Sequence, residues 1–258
     1  MPPPQYRPSK TVEGFLTLAQ VDKERRKRVR LLAATTHQGS WGKRARELAG
    51  RIEADEETLA NPIWFRDHQE RCIGNLYWLI ERQKRTDVTT FTIVKKRWAV
   101  YAGDLSKKIL KKIEKQFRKN LGDTGIKPRQ GWIYATIEAA YYPEQGCYQF
   151  HLHGAACGDY VRMIDALRKK RSYKPWKAEP GMPACRTPIR RSQKPLTNMP
   201  TPLSYGLKHF WKLRDAGCRV RLPGDEHTRM LLFLDQCCIE DLTILINLTV
   251  RNGRLEEA

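Results

Sequence analysis

The chain has 258 residues, of which 40% are hydrophobic, and 48 Lys and Arg against 28 Asp and Glu give it a formal net charge of +20. A hydrophobic share of this size argues against a mainly disordered chain, and no apolar run reaches the ~20 residues of a membrane span. The charge predicts a polyanionic partner, nucleic acid before an anionic membrane surface, unless it serves solubility alone. We expect no membrane partner.

Two features bear on the compartment. The chain begins Met-Pro-Pro-Pro without an apolar leader, so we expect the protein to stay where it is made, in a cytoplasm. Seven scattered cysteines with no C-x-x-C pair predict reduced thiols that pack in the interior, not a zinc site.

The first predicted region, residues 1–87, combines a Pro-rich start with a helical extension. Apolar residues recur at helical intervals over 21–34, 41–54 and 62–85. We therefore predict three helices before the first strand.

The second predicted region, residues 88–222, begins where the pattern changes period. Residues 88–94 are β-branched and aromatic, which predicts a strand. Asp104 is a suitable N-cap for a helix through Leu121, with apolar residues at steps of four on one face. The other face is basic and is either solvated or a DNA contact; its cations are Lys107, Lys108, Lys111, Lys112, Lys115, Arg118 and Lys119.

Further strands and helices follow in an order that indicates the fold class. They are predicted as strands over 132–142 and 147–157, a helix over 159–170, a long basic connection over 171–202, a helix over 202–214 and a strand over 218–222. The third region, residues 223–258, is predicted to be a C-terminal helical segment packed on the core. This order predicts an α+β fold, an antiparallel sheet flanked by helices, with an N-terminal helical extension.

The clearest chemical signal is the pair His151 and His153 with Leu152 between them. Side chains two residues apart on a strand face the same side, so the two imidazoles stand together while Leu152 enters the core. Two imidazoles on a rigid strand form half of a metal site. The alternative is a pair of surface histidines on an edge strand.

A third ligand comes from the preceding strand. Folding the two strands about the turn at 143–146 places Glu138 opposite His151, within reach of both histidines. Glu138 lies in an apolar stretch where a carboxylate needs a partner, unless that side of the sheet is solvated. Glu144, in the turn itself, is the competing ligand.

Two histidines and one carboxylate leave coordination positions open, which suits a catalytic metal ion. Mg²⁺ prefers oxygen ligands, and Mn²⁺ tolerates imidazole better. We therefore expect a divalent ion, Mn²⁺ or Mg²⁺, with good function in Mn²⁺.

A candidate nucleophile is Tyr205, which on the predicted helix shares a face with Lys208. A nearby ammonium favours the phenolate and can also hold a phosphate. Tyr173, in the basic connection, is the second candidate.

Three motifs together resemble the rolling-circle replication initiators of the HUH endonuclease superfamily. These are a strand of the Phe-Thr-x-x kind at 91–94, the His-hydrophobic-His motif at 151–153, and Tyr-x-x-Lys at 205–208, in the family's order. The resemblance covers roughly residues 88–214, and each motif is short, so their order and the basic charge carry its specificity.

The resemblance implies a ferredoxin-like or RRM-like core and a single-tyrosine enzyme that nicks and rejoins single-stranded DNA through a 5′-phosphotyrosine link. It implies that Tyr205 is the nucleophile, that Lys208 assists it, and that His151 and His153 bind the metal with Glu138. The implied partners are single-stranded or hairpin DNA at a replication origin and a separate host helicase, because the sequence has no P-loop motif. A plasmid or phage replicon would place it in the bacterial cytoplasm.

Two other functions remain open from the sequence. A single-tyrosine transposase shares the histidine pair and the tyrosine, and differs in the DNA ends that it joins. A non-catalytic DNA-binding protein of the same fold would bind DNA without needing a metal.

Overall fold

The structure is a computed structural model that describes residues 15–192, 196, 199–209, 211–215 and 218–258. The first fourteen residues of the predicted Pro-rich start lie outside the described residues. In chain order, the α-helices are α1 (Leu18–Ala33), α2 (Gly39–Glu53), α3 (Pro62–Arg82), α4 (Lys108–Gly122), α5 (Asp159–Leu167) and α6 (Gly224–Leu234). The strands are β1 (Thr89–Tyr101), β2 (Ile133–Tyr142), β3 (Cys147–Ala156), β4 (Ile189–Arg191), β5 (Lys212–Asp215), β6 (Cys218–Arg221), β7 (Thr243–Ile246), β8 (Leu248–Arg251) and β9 (Arg254–Glu257).

Helices α1, α2 and α3 confirm the three helices predicted before the first strand. Thr17 begins α1 with a capping box: its hydroxyl accepts the Gln20 N–H at 3.2 Å, and the Gln20 side chain accepts the Thr17 N–H at 2.8 Å. Asn61 caps α3, and Pro62 follows at the first helical position, where its missing N–H costs nothing. These local signals explain where the helices begin.

The main sheet has the strand order β4-β1-β3-β2-β5-β6, and β7 also pairs with β2. All neighbours are antiparallel except β2 and β5, which run parallel. With helices against the sheet and a helical N-terminal region, the protein is α+β, as predicted. Both β7 and β5 lie along one edge of β2, β7 at residues 133–136 and β5 at residues 140–141, so residues 137–139 of that edge lie between them.

The two faces of the sheet are covered by different helices. Phe91 of β1 packs on Phe117 of α4, with ring centroids 6.4 Å apart, so α4 covers the face into which Leu152 also points. On the opposite face, Tyr134 and Ala155 belong to a cluster with Leu76 of α3. The side chains of β3 that alternate with Leu152 therefore face the same side as α3.

Two predicted boundaries differ at the ends of the first strand and its helix. Strand β1 continues to Tyr101, past the predicted end at residue 94, through a register shift between the pairs Val94–His151 and Ala99–Gln149. Trp98, fully buried at the end of the shifted stretch, explains why the chain returns to the sheet after a basic run. Helix α4 begins at Lys108, four residues after the end of a short 3₁₀ turn at Ala102–Asp104.

The prediction that the C-terminal segment, residues 223–258, is helical is wrong beyond Leu234. After α6 the chain forms β7, β8 and β9, and β7 pairs with β2 from Ile133 to Thr136. The apolar run Thr243–Ile246 contains β-branched residues and completes an open strand edge, so sheet pairing decides its conformation.

The predicted helix over 202–214 is also wrong. Thr201–Tyr205 forms a 3₁₀ helix, and β5 begins at Lys212. Leu207 has a positive φ of 58°, which ends any right-handed helix there. The Lys208 N–H, which an α-helix would donate to a carbonyl four residues earlier, instead donates to Glu138 Oε1 at 2.8 Å.

Two smaller expectations can be compared with the structure. Six cysteines with described side chains are free thiols, and Cys147, Cys157 and Cys237 are buried, in line with a packing role. Among the described helices, none combines the length and apolar character needed to cross a membrane.

Candidate active site

The hairpin of β2 and β3 forms the floor of the site. Glu138 lies directly opposite His151 in the strand register, as predicted. The chain turns through Pro143–Gln145 and then Gly146, whose positive φ of 59° suits glycine. Leu152 is fully buried, whereas the histidine side chains on either side of it are 13% and 18% exposed. The prediction that both imidazoles share one face is confirmed.

Glu138, His151 and His153 converge on one point. Glu138 Oε2 lies 3.6 Å from the Nε2 atom of each histidine. The two imidazole rings are nearly perpendicular, at 88°, with centroids 4.7 Å apart. One ligand atom from each residue lies within 4.8 Å of the other two, so the three could hold one metal ion.

Hydrogen bonds turn the Nε2 atoms of both histidines toward Glu138. His153 Nδ1 is 2.9 Å from the Thr92 hydroxyl, and His151 Nδ1 is 3.4 Å from the backbone oxygen of Gln149. In the tautomer that donates from Nδ1, each Nε2 lone pair points to the carboxylate and is available to a metal. Thr92 belongs to the first sequence motif, for which the sequence offered no residue role.

The protonation states suit a cation. Burial alone would raise the pKa of Glu138, but the Lys208 ammonium and the two imidazoles outweigh burial and hold that pKa well below its usual range. Burial lowers the pKa of His153 to about 3, against the smaller opposing effect of Glu138. At neutral pH the site therefore presents an ionised carboxylate and a neutral His153, the forms that bind metals.

The donor set fits a divalent ion with open positions, as the residues implied. Two nitrogen ligands and one carboxylate suit Mn²⁺ better than Mg²⁺. The competing ligand Glu144 is exposed in the turn and is not part of the convergent group.

The segment 201–209 forms the wall of the site beside β2. Lys208 contacts Glu138 twice, through its N–H to Oε1 at 2.8 Å and through its ammonium to Oε2 at 2.9 Å. The same ammonium lies 5.8 Å from the centroid of the Tyr205 ring, and Tyr205 is 47% exposed. Tyr205 and Lys208 thus reach the predicted neighbourhood without the predicted helix.

A groove of about 390 Å³ connects the wall to the floor. Its lining includes His153 and Tyr205, and also Arg190, an exposed residue of β4 that pairs in register with Thr92. Gly206 allows the close approach, because a Cβ there would lie 2.5 Å from the Thr136 hydroxyl oxygen. An anionic strand in this groove would meet His153, Tyr205 and a cation together.

The N-terminal helices anchor the wall at His209. The Arg28 guanidinium, fully buried in α1, donates to the His209 carbonyl. The side-chain oxygen Oε1 of Gln69 in α3 lies 3.0 Å from His209 Nε2. The ring of Phe65 packs on the imidazole with their centroids 5.0 Å apart. The sequence analysis missed these anchors, because sequence separations of 181 and 140 residues carry no periodic signal.

The second nucleophile candidate, Tyr173, lies away from the groove. Its side chain is 3% exposed, and its hydroxyl accepts a hydrogen bond from Asn120 of α4 at 2.9 Å. Burial raises its pKa far above the usual range. Of the two candidate nucleophiles, Tyr205 is therefore accessible from the groove and Tyr173 is not.

The basic face of α4 is not part of this site. Helix α4 packs on the sheet face opposite the two histidines, and its cations point outward from there. Most of them are exposed, and Lys107 is ion-paired with Asp241. The structure therefore separates the predicted DNA contacts of α4 from the metal ligands.

Comparisons with protein-family models, with curated proteins and with solved structures found no match for this chain.

Proposed function

We propose that this protein is an HUH-type rolling-circle replication initiator, which nicks single-stranded DNA and rejoins it through a 5′-phosphotyrosine intermediate. One observation carries the proposal: three short motifs, far apart in sequence, contribute Thr92, His153 and Tyr205 to the lining of one groove. Chance matches to short motifs would not be expected to converge in this way.

Glu138, His151 and His153 are the residues that would hold the metal ion. A divalent cation bound there supplies positive charge that polarises a phosphoryl oxygen and offsets developing negative charge. Thr92 keeps the His153 ring oriented, which is the usual task of an outer-shell hydrogen bond.

Tyr205 would act as the nucleophile. Its phenolic oxygen forms a bond to phosphorus, the bond between phosphorus and the 3′-oxygen breaks, and that oxygen takes up a proton while the phenol loses one. The released 3′-hydroxyl can prime DNA synthesis. The link conserves the phosphodiester energy, so the reverse attack rejoins the strand without a nucleotide cofactor.

The charge distribution supports two DNA contacts in this proposal. Arg190 lines the groove that would take the single strand, and the Lys208 ammonium lies 5.8 Å from the ring of Tyr205, which also lines it. The outward cations of α4 would bind a second DNA segment, such as the duplex beside the nick. Unwinding would depend on a separate helicase, and the reaction would take place in the bacterial cytoplasm for a plasmid or phage replicon.

A covalent-adduct assay tests the proposal. The protein is incubated with a library of single-stranded oligonucleotides, with Mn²⁺ or with a chelator, and separated by denaturing electrophoresis. We expect a covalent adduct in the samples with Mn²⁺ and none in the samples with the chelator. Tyr205→Phe should form none, whereas Tyr101→Phe, which alters an exposed tyrosine at the end of β1, should form it normally.

DNA binding without an adduct under any of these conditions would favour the non-catalytic DNA-binding protein. An adduct that forms only with transposon-like ends would favour the transposase.

A further inference from the structure

The ammonium of Lys208 contacts the same carboxylate oxygen that a metal ion held by Glu138, His151 and His153 would need. Glu138 Oε2 is the atom that faces both imidazole Nε2 atoms at 3.6 Å, and it is also the atom that pairs with Lys208 Nζ at 2.9 Å. Glu138 is 6% exposed, so water contributes little to its neutralisation. In this state the lysine supplies the positive charge that a buried carboxylate requires.

We infer that Lys208 is an exchangeable counter-ion, which neutralises Glu138 in the metal-free protein and is displaced when a divalent cation binds. The inference rests on the metal site of the proposed function. A dication held by Oε2 and two imidazoles would stand against an ammonium bonded to the same oxygen, and like charges at such separations repel strongly in a low-dielectric site. One of the two cations must therefore leave.

The Lys208 side chain can move away from Glu138 while the backbone of the segment 201–209 stays in place. The Lys208 N–H remains on Oε1, the other oxygen of Glu138, at 2.8 Å. His209 remains bonded to Arg28 and Gln69. Only the flexible side chain has to move, since the main chain on both sides has its own partners.

The displaced Lys208 ammonium can interact with other groups beside the site. Its present position is 5.8 Å from the Tyr205 ring centroid, and Tyr205 lines the groove. A lysine side chain that rotates away from Glu138 can place its ammonium near the phenol or near a phosphate in that groove. Metal binding would thus place a divalent cation on the floor of the site and free the Lys208 ammonium to interact at the wall. Lys208 would then assist the reaction only when the metal ion is bound.

Metal affinity gives the first test, independent of activity. Isothermal titration with Mn²⁺ compares the wild type with Lys208→Met, which has a similar length and no charge, and with Lys208→Arg, which keeps the charge. Without a competing cation, Lys208→Met should bind Mn²⁺ about tenfold or more tightly than the wild type, whereas Lys208→Arg should not gain affinity. Lys108→Met, the same change on the distant α4, should leave the affinity unaltered.

Chemical labelling of the wild type gives the second test and does not depend on a folded variant. An amine-reactive ester should modify Lys208 slowly in the metal-free protein and several-fold faster in saturating Mn²⁺, as measured by peptide mass spectrometry, while labelling of Lys108 stays constant. Equal or weaker Mn²⁺ binding by Lys208→Met, or a Lys208 labelling rate that Mn²⁺ does not raise, would overturn the exchange and leave the metal site standing. A wild type that binds no Mn²⁺ would overturn both.

Discussion

The floor and the wall of the candidate site are built in different ways. The floor consists of Glu138, His151 and His153 on two paired strands, where the pairing register alone fixes which side chains meet. The wall is the segment 201–209, which has little regular structure and is held by contacts to α1, α3 and β2. One half depends on local geometry and the other on tertiary contacts.

This difference suggests that the floor and the wall have different roles. A metal site needs ligands held within narrow limits, which a hairpin in a sheet supplies. In the proposed reaction, the nucleophile and its cation meet a substrate that enters and leaves, which a segment with side-chain anchors allows. The floor should therefore tolerate little change, and the wall should respond to its distant supports.

The largest effect is expected when the floor loses a ligand. His151→Ala, His153→Ala or Glu138→Gln should each weaken Mn²⁺ binding at least about 100-fold and abolish the adduct, since these are the three candidate ligands that converge in the described part of the chain. Calorimetric titration measures the affinity, and circular dichroism checks the fold. Glu144→Gln, in the turn of the same hairpin, is the matched control and should bind Mn²⁺ normally. Wild-type affinity in the double histidine variant would refute the metal assignment.

A smaller effect is expected from the hydrogen bond that orients His153. Thr92→Val keeps the shape of the side chain but removes the hydroxyl 2.9 Å from Nδ1, and it should weaken Mn²⁺ binding about 10- to 100-fold. Thr92→Ser retains the hydroxyl and should stay close to the wild type. Equal Mn²⁺ affinities for Thr92→Val and Thr92→Ser would show that the hydroxyl does not orient the His153 ring.

Acid should weaken the wall through His209. Burial lowers the pKa of His209 to about 3, so the folded protein keeps this imidazole neutral while the unfolded chain protonates it below its ordinary pKa of 6.5. This contribution to stability is complete above pH 6.5 and is lost as the pH falls toward about 3. Lowering the pH from 7 to 5 should reduce the free energy of unfolding by about 2 kcal/mol through His209.

Urea denaturation of the metal-free protein at the two pH values measures this loss. His209→Gln keeps an amide near Gln69 and does not titrate, so its free energy of unfolding should fall by about 2 kcal/mol less than that of the wild type. An equal fall in the two proteins would show that His209 is not the titrating support of the wall.

The smallest effect on chemistry is expected from the basic face of α4, which lies outside both halves. Replacing Lys111, Lys112 and Lys115 together by Gln should weaken DNA binding and flatten its salt dependence by up to about 2.7 in log–log slope. The rate of adduct formation at saturating DNA should not change, because these side chains lie on the opposite sheet face. A lower rate at saturation would link α4 to the chemical step.

How far the sequence predicted the site follows from the same comparison. Strand alternation and hairpin symmetry predicted the floor, including Glu138 opposite His151, because both rules are local. The wall was predicted as a helix, since its apolar spacing could not reveal that Glu138 takes the Lys208 N–H. The strand β7 was missed for a similar reason: its partner, the edge of β2, lies more than 100 residues earlier in the chain.

Mapping the DNA adduct tests most directly the central claim that the wall supplies the nucleophile to the metal-bearing floor. The adduct formed in Mn²⁺ is digested with protease and nuclease, and the modified peptide is sequenced by mass spectrometry. The account predicts a nucleotide on Tyr205 and on no other tyrosine, including the buried Tyr173. A nucleotide on Tyr173 or any other residue would contradict the assignment of the wall.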